Sequence, residues 1–463
     1  MTTAAPLSTA PARITVPRTR PALGDTGLAA RAAYVLRGND LGSMTAAAPR
    51  LYPHMWSWDA AFISVGIAQL SVERALTELE TLLGAQWRTG MLPHIVFSPR
   101  STGYFPGPER WGCAELAAAA PAGTDTSGIC QPPVHAIALM RIVEVARRTG
   151  GEGLRAAEKF TDRAWTPLMR WHRWLVEQRD PEGTGRITLH HGWESGTDNS
   201  PRWDGPYSRV HPGASLPAYR RRDREFVADP SHRPSDGEYD RYLWLVEEMR
   251  RADYDDAAVR RTSSFAVEDV LTSALLALAC DALADLGEEL PHRSEDVAQL
   301  RAWAARFRAG VVASVAPETG LARDRDLRAG RWLATETLAG FAPLLCGGLD
   351  PAAERRLRDV LDSERWLGNP GLFAAVPPST APGSDAFRSR AYWRGPQWPV
   401  MAWLFGWAFA RRGWPERSEA IRREGLRLVG DGTFAEYYEP FTGEPLGSLD
   451  QSWTAAVTLD WLC

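Results

Sequence analysis

Residues 57–84, SWDAAFISVGIAQLSVERALTELETLLG, decide the fold. Apolar side chains recur three and four positions apart at Ala60, Phe62, Ile63, Ile67 and Leu70, and again at Leu76, Leu79, Leu82 and Leu83. That is the period of a helix that buries a face against a core. The same spacing predicts helices over 134–149, 156–179, 240–251, 265–286, 294–314, 335–347, 352–363, 396–412, 415–428 and 451–462, roughly a dozen in all. Strand-like alternation is confined to short pieces such as Arg186 to His190. No repeat of about 30–45 residues is visible, which argues against an open solenoid and for helices packed into one closed body. The reading is an all-α fold.

Composition narrows the function. With 463 residues, 44% apolar and 24% charged, the chain is an ordinary globular one, long enough for one large domain. Its 53 basic and 57 acidic residues leave a net charge of −4, too little to hold nucleic acid or an anionic membrane surface. Lys159 is the single lysine. A Walker loop is thereby excluded, and a Schiff-base enzyme would have to use a lysine on a predicted exposed helix. The cysteines, Cys113, Cys130, Cys280, Cys346 and Cys463, form no CxxC pair, so neither a disulfide framework nor a zinc ribbon is implied. His54, His94, His135, His190 and His191 lack HExxH spacing and read as structural or surface residues, and no GxSxG or GxGxxG stands at a strand-to-helix junction. No metal and no cofactor is expected.

Residues 1–26 read as a disordered tail without the apolar stretch of a signal peptide. The longest apolar runs break within about a dozen residues, shorter than a membrane span. The expected address is the cytoplasm, and a homo-oligomer is compatible with the composition. The expected organisation is the tail followed by one catalytic domain over 27–463.

The unusual composition lies between the helices. Loops 89–133, 181–239, 366–396 and 430–450 are long, rich in Gly, Pro and aromatic residues, and set charged groups beside tryptophans, of which the chain has 20. Long aromatic loops on a helical scaffold point to a shared pocket. Segment 192–204, GWESGTDNSPRWD, holds Glu194 and Asp198 between Trp193 and Trp203. A carboxyl beside indole rings loses solvation, which raises its pKa toward the range of a general acid. A plainer alternative is that Asp198 caps a helix beginning near Pro201. Segment 434–447, FAEYYEPFTGEPLG, sets Glu436, Glu439 and Glu444 among four rings. Glu439 and Glu444 read equally well as turn residues, so Glu436 is the better buried candidate.

Two ring-flanked carboxylates far apart in the chain fit acid and base roles around a sugar ring. MWSWDAAF at 55–62 and YWRGPQWPV at 392–400 look like sugar platforms, because indole faces stack on the C–H faces of sugars beside polar Asp59, Arg394 and Gln397. The arginine-rich run YRRRDREF at 219–226 could meet an anion, although such runs are usually solvated faces.

On these motifs, together with QSWTAA at 451–456, the chain resembles glycoside hydrolase family 63, in its bacterial branch of glucosylglycerate and mannosylglycerate hydrolases. The resemblance runs from about residue 27 onward. It implies an (α/α)6 barrel whose inter-helix loops, around 89–133 and 205–240, form a lid over the active site. It further implies an inverting mechanism with Asp198 as general acid and Glu436 as general base, their carboxyls about 6.5–9.5 Å apart. By matching position, Tyr52, Trp56, Trp58, Asp59, Gln131, Tyr392, Trp393, Trp398 and Gln451 would hold the sugar. Arg233 and Tyr239 in HRPSDGEYDRY, with Tyr104 in GYFPGP, would hold the glycerate. Segment 205–230 does not match the family pattern clearly and borders the lid. The expected substrate is a small anionic glycoside, foremost 2-O-α-glucosylglycerate, a compatible solute. The rivals are mannosylglycerate, a neutral glucoside as in trehalases and glucoamylases, and a sugar-binding protein without catalysis.

Overall fold

The computed structural model describes residues 22–101, 103–227 and 229–463. Of the expected tail, residues 1–21 lie outside the described range, while Asp25 and Thr26 are already helical. An acidic residue in the first turn favours that start.

Among the described residues, twelve helices alternate between an inner and an outer ring. In chain order they are α1 (Asp25–Gly38), α2 (Ser57–Ala68), α3 (Val72–Gly84), α4 (His135–Thr149), α5 (Gly151–Gln178), α6 (Val270–Glu288), α7 (Ser294–Ala313), α8 (Ala342–Cys346), α9 (Pro351–Asp362), α10 (Pro399–Arg411), α11 (Pro415–Val429) and α12 (Ser452–Leu462). Each even-numbered helix packs on the next even-numbered one, and α12 closes on α2; the odd-numbered helices cover the outside. This is the (α/α)6 barrel that the family resemblance implies, and it agrees with the all-α reading of the helical periodicity.

The two rings differ as their burial demands. Inner α2 is buried along its whole length, whereas outer α3 buries one stripe, including Val72, Ala75, Leu76, Leu79 and Leu82. Inner α6 is long and apolar enough to cross a membrane by length and composition, which corrects the expectation that no run is. It is 89% buried within the protein over that stretch, because a helix flanked on every side by other helices meets the same composition demand as one in lipid. The helix expected from residue 265 starts instead at Val270, where Asp269 accepts a bond from the Thr272 N–H, and Val267–Asp269 pair as a strand. Likewise 335–347 resolves into a 3-10 turn, Leu338–Phe341, and the short α8. The ring closes tightly where α12 meets α2: a Cβ on Gly66 would lie 2.3 Å from Ala456 Cα, so only glycine fits. Asn39 Nδ2 ties α1 to the same seam by donating to Ser452 Oγ at 2.8 Å.

Short strands shape one end of the barrel. β1 (Met55–Trp56) pairs with β2 (Ile95–Val96), and β7 (Tyr437–Tyr438) with β8 (Pro445–Leu446), both antiparallel. An antiparallel sheet runs β3 (Ile187–Leu189), β4 (Val267–Asp269), β5 (Asp324–Asp326) and β6 (Arg331–Leu333). A lid helix, Asp236–Arg251, opens with a reciprocal cap between Ser235 and Glu238. It is tied to the 89–133 loop by Arg250 Nη1, which donates to the Arg110 carbonyl at 2.8 Å.

Candidate active site

The four aromatic loops and the first turns of α2 and α12 line one cavity, walled by aromatic rings with a few charged and polar groups between them. Tyr52, Trp56, Trp58, Asp59, Tyr104, Gln131, Asp198, Arg233, Tyr239, Tyr392, Trp393, Glu436 and Gln451 all reach its wall. Trp398 does not. It stacks behind Trp393, with ring centroids 3.6 Å apart and planes 4° apart, and Tyr437 stacks on it in turn at 4.8 Å. Its role is to hold a platform ring in place, which corrects the expectation of a direct sugar contact.

Asp198 sits on a backbone pinned from several directions. Ser195 Oγ donates to the Gly192 carbonyl and accepts from Thr197 N, and Trp203 Nε1 donates to the Thr197 carbonyl at 3.0 Å. Arg202, buried between Asp269 and Asp324 of the sheet, anchors the far end of the segment. Asn199 Oδ1 accepts from Trp393 N at 2.9 Å and so couples this segment to the platform. The capping alternative fails, because the short turn Pro201–Trp203 starts at Ser200 and has no side-chain cap. Burial pushes the Asp198 carboxyl up to about 7; Arg233 opposes the rise and Glu436 adds to it.

Glu194, its neighbour in the motif, is a different kind of carboxylate. Arg179 donates to both of its oxygens at 2.9 and 2.7 Å, and His190 N donates at 2.7 Å. Burial alone would raise its pKa, but the Arg179 fork outweighs burial and holds it at about 2. It is a fixed ion pair that steadies the barrel wall. Glu439 is likewise structural: its Oε2 accepts from Phe441 N and Thr442 N, closing the turn between β7 and β8.

Glu436 enters β7 with its backbone N–H on the Ser448 carbonyl at 2.8 Å. Its Oε1 accepts from Tyr52 OH at 2.9 Å and its Oε2 from Ser448 N at 3.2 Å. Tyr52 OH also meets Tyr392 OH at 3.3 Å. Burial raises the Glu436 pKa while Arg233 pulls it back. Asp59, in the first turn of α2, is pushed well above the ordinary carboxylate range by burial and by the nearby Glu436 and Asp198. Buried Asp59 and Glu436 and half-buried Asp198 share one cavity with Arg233, and their titrations are pushed upward together.

Gly447 sets the space behind Glu436. Its φ is +74°, and a Cβ there would lie 2.4 Å from Glu436 Oε2. Gly447→Ala is expected to displace Glu436, lowering kcat about tenfold and costing about 1–2 kcal/mol of stability through the left-handed backbone. Steady-state kinetics and a denaturant midpoint check both effects.

Trp58 meets Trp393 at 6.2 Å and Trp453 at 5.5 Å, while Trp56 stands edge-on to Tyr52 and Tyr104 at 5.2 Å. Gln131 Oε1 accepts from Trp58 N at 3.2 Å, and Gln451 accepts from Ser448 Oγ. On the lid side the Arg233 guanidinium lies 4.1 Å over the Tyr392 ring, and Tyr239 OH donates to the Phe105 carbonyl at 3.5 Å. The wall also includes residues that motif reading did not assign: His94, Trp193, Asp223, Tyr242 and Trp453. His94 is held neutral by burial, its pKa lowered to about 3, and it faces Ser127 Oγ at 3.2 Å. The signal for Trp193 was its place beside Glu194. Asp223 lay hidden inside the arginine-rich run.

The chain matches the mannosylglycerate hydrolase MGH1-like glycoside hydrolase domain over residues 52–454. It is 61% identical over 442 residues to the glucosylglycerate hydrolase of Mycolicibacterium hassiacum, across 96% of this chain and 99% of that one. Two solved structures of a glycoside hydrolase family 63 mannosylglycerate hydrolase from Thermus thermophilus are similar at 38% identity, each covering 94% of this chain and 99% of its own. The complex with Tris and D-glycerate has a TM-score of 0.84 and the complex with glucose 0.82.

Proposed function

The chain belongs to the mannosylglycerate hydrolase MGH1-like glycoside hydrolases, and on that premise we propose that it cleaves 2-O-α-glucosylglycerate to glucose and glycerate with inversion at the anomeric carbon. The observation that carries the reading is the cavity in which Asp198, Glu436 and Arg233 meet among aromatic walls. Two carboxyls facing one cavity answer the needs of glycoside hydrolysis, and the arginine answers the charge of glycerate.

Asp198, its pKa raised to about 7, is protonated in about half of the molecules at neutral pH, and that form gives its proton to the glycosidic oxygen as the bond to the anomeric carbon breaks. Glu436 takes a proton from the water that attacks that carbon from the other face. One water is consumed; its hydroxyl ends on glucose as the β anomer, and the glycerate leaves as an alcohol. Asp198 finishes as carboxylate and Glu436 as acid, and exchange with solvent resets both. Tyr52 and Ser448 N–H hold the Glu436 oxygens in place for this step. The Trp58 and Trp393 faces suit the C–H faces of the sugar.

A neutral disaccharide offers Arg233 hydroxyl acceptors but no charge. The Arg233 Nη1 makes no hydrogen bond among the described residues and lies 3.9 Å from Glu436 Oε2, so a carboxylate on the aglycone would give it a charged acceptor at hydrogen-bond distance. The 61% identical relative carries the name of a glucosylglycerate hydrolase, whereas the mannosylglycerate hydrolase of a second Thermus thermophilus strain is 40% identical, which favours glucose as the sugar. The buried free thiols of Cys113, Cys130, Cys280 and Cys346 support a reducing, cytoplasmic setting.

The test is a hydrolysis panel of glucosylglycerate, mannosylglycerate, trehalose and maltose, with the product anomer read by proton NMR before mutarotation. β-Glucose should appear from glucosylglycerate, with kcat/KM at least about tenfold above that for the other three. Turnover confined to the neutral disaccharides, or release of α-glucose, would overturn the reading.

A further inference from the structure

Arg233 stands between two carboxylates. Its Nη1 lies 3.9 Å from Glu436 Oε2, and its Nε donates to Asp223 Oδ2 at 3.5 Å. Asp223 is in turn gripped by Arg221, whose Nε and Nη2 donate to its two oxygens at 2.9 and 2.6 Å. The same Arg221 donates through Nη1 to the carbonyl of Pro234, the residue after Arg233, at 2.6 Å. Its guanidinium also lies 4.4 Å over the Tyr239 ring. A solvated charge run would not look like this: the side chains of Arg221 and Asp223 are only 7% and 10% exposed, and Asp223 lines the cavity wall. One arginine therefore holds both the main chain next to Arg233 and the acceptor of its Nε.

The geometry bears on which way the Arg233 fork faces. A guanidinium presents five N–H donors in a rigid plane, so fixing Nε sets the direction of the others. Without Asp223, Glu436 would be the one carboxylate left within 4 Å of Arg233 among the described residues, with Asp198 also acting on it electrostatically, and the guanidinium would be drawn toward these acids. We propose that Asp223, clamped by Arg221, positions the Arg233 guanidinium to receive the carboxylate of the aglycone, and that this pair sets the enzyme's preference for an anionic aglycone. The inference rests on the reading that glycerate binds at Arg233. Asp223 and Arg221 act through Arg233 and are positioning residues.

The experiment uses the full-length enzyme and its two products as inhibitors. In Asp223→Asn, KM for glucosylglycerate and Ki for D-glycerate should both rise about tenfold or more, while kcat and the Ki for glucose stay within about threefold. Asp223→Glu, which restores the charge, should bring the glycerate Ki back toward wild type. Arg221→Met should move the same two constants in the same direction as Asp223→Asn, and it supplies the reading if the asparagine variant does not fold. Unchanged KM and glycerate Ki in a folded variant would overturn the proposal. So would a fall in kcat and Tm at constant KM, the signature of a merely structural role. A wild-type enzyme that neither cleaves glucosylglycerate nor is inhibited by glycerate would instead overturn the substrate reading, and this inference with it.

Discussion

Replacing Asp198 with asparagine is expected to lower kcat on glucosylglycerate by roughly 10³-fold while the protein stays folded. The alkoxide of glycerate is a poor leaving group, and the only way to avoid it is to deliver a proton as the bond breaks. Asp198 can do so because burial lifts its pKa to about 7, leaving about half of it protonated at neutral pH, where an exposed aspartate would be almost wholly ionised. The sign of the pH dependence follows. In the wild type kcat/KM should fall as pH rises through about 7, because Asp198 of the free enzyme loses the proton it must donate. In the variant that alkaline limb should vanish. An α-glucosyl fluoride needs no proton on its leaving group, so the variant should cleave it at a rate close to wild type. Failure of the fluoride to rescue, or survival of the alkaline limb, would remove Asp198 from the acid's role.

Glu436→Gln is expected to lose kcat to a similar extent, roughly 10³-fold, with the opposite response to the fluoride. Water attack needs a base whatever the leaving group, so activating that group cannot compensate. The amide keeps the size of the carboxylate and can still accept from Tyr52 OH, so the cavity should keep its shape. Binding of glucose should change little, which inhibition constants would show. Rescue of Glu436→Gln by the fluoride, with none for Asp198→Asn, would mean that the two roles are exchanged.

The helices were legible because apolar spacing is local, but that spacing did not separate α2, buried along its whole length, from α3, buried along one stripe, and the barrel was read from the motifs shared with the family. What periodicity alone could not tell is that α6 is an inner wall of a protein and not a span of a membrane, since the same run of side chains satisfies either surrounding. Glu194 and Asp198 looked alike in sequence, each beside a tryptophan. The difference lies in Arg179, which forks Glu194 and leaves Asp198 without such a partner. Trp393 and Trp398 share one motif, yet one faces the cavity and the other backs it, a distinction made by a stacking partner and not by composition. The run 219–226 read as solvated charge because ion pairing inside a folded loop, as between Arg221 and Asp223, has no spacing rule.

The seam between α2 and α12 has a consequence for the order of events during synthesis. The bond from Asn39 to Ser452 spans 413 positions, and Gly66 meets Ala456 across nearly the same separation. Most of the barrel can be made while α2, apolar on every side, still lacks the neighbour that seals it. Ring closure is then a late event with a large loop-closure cost, and until it happens the nascent chain displays a sticky flank.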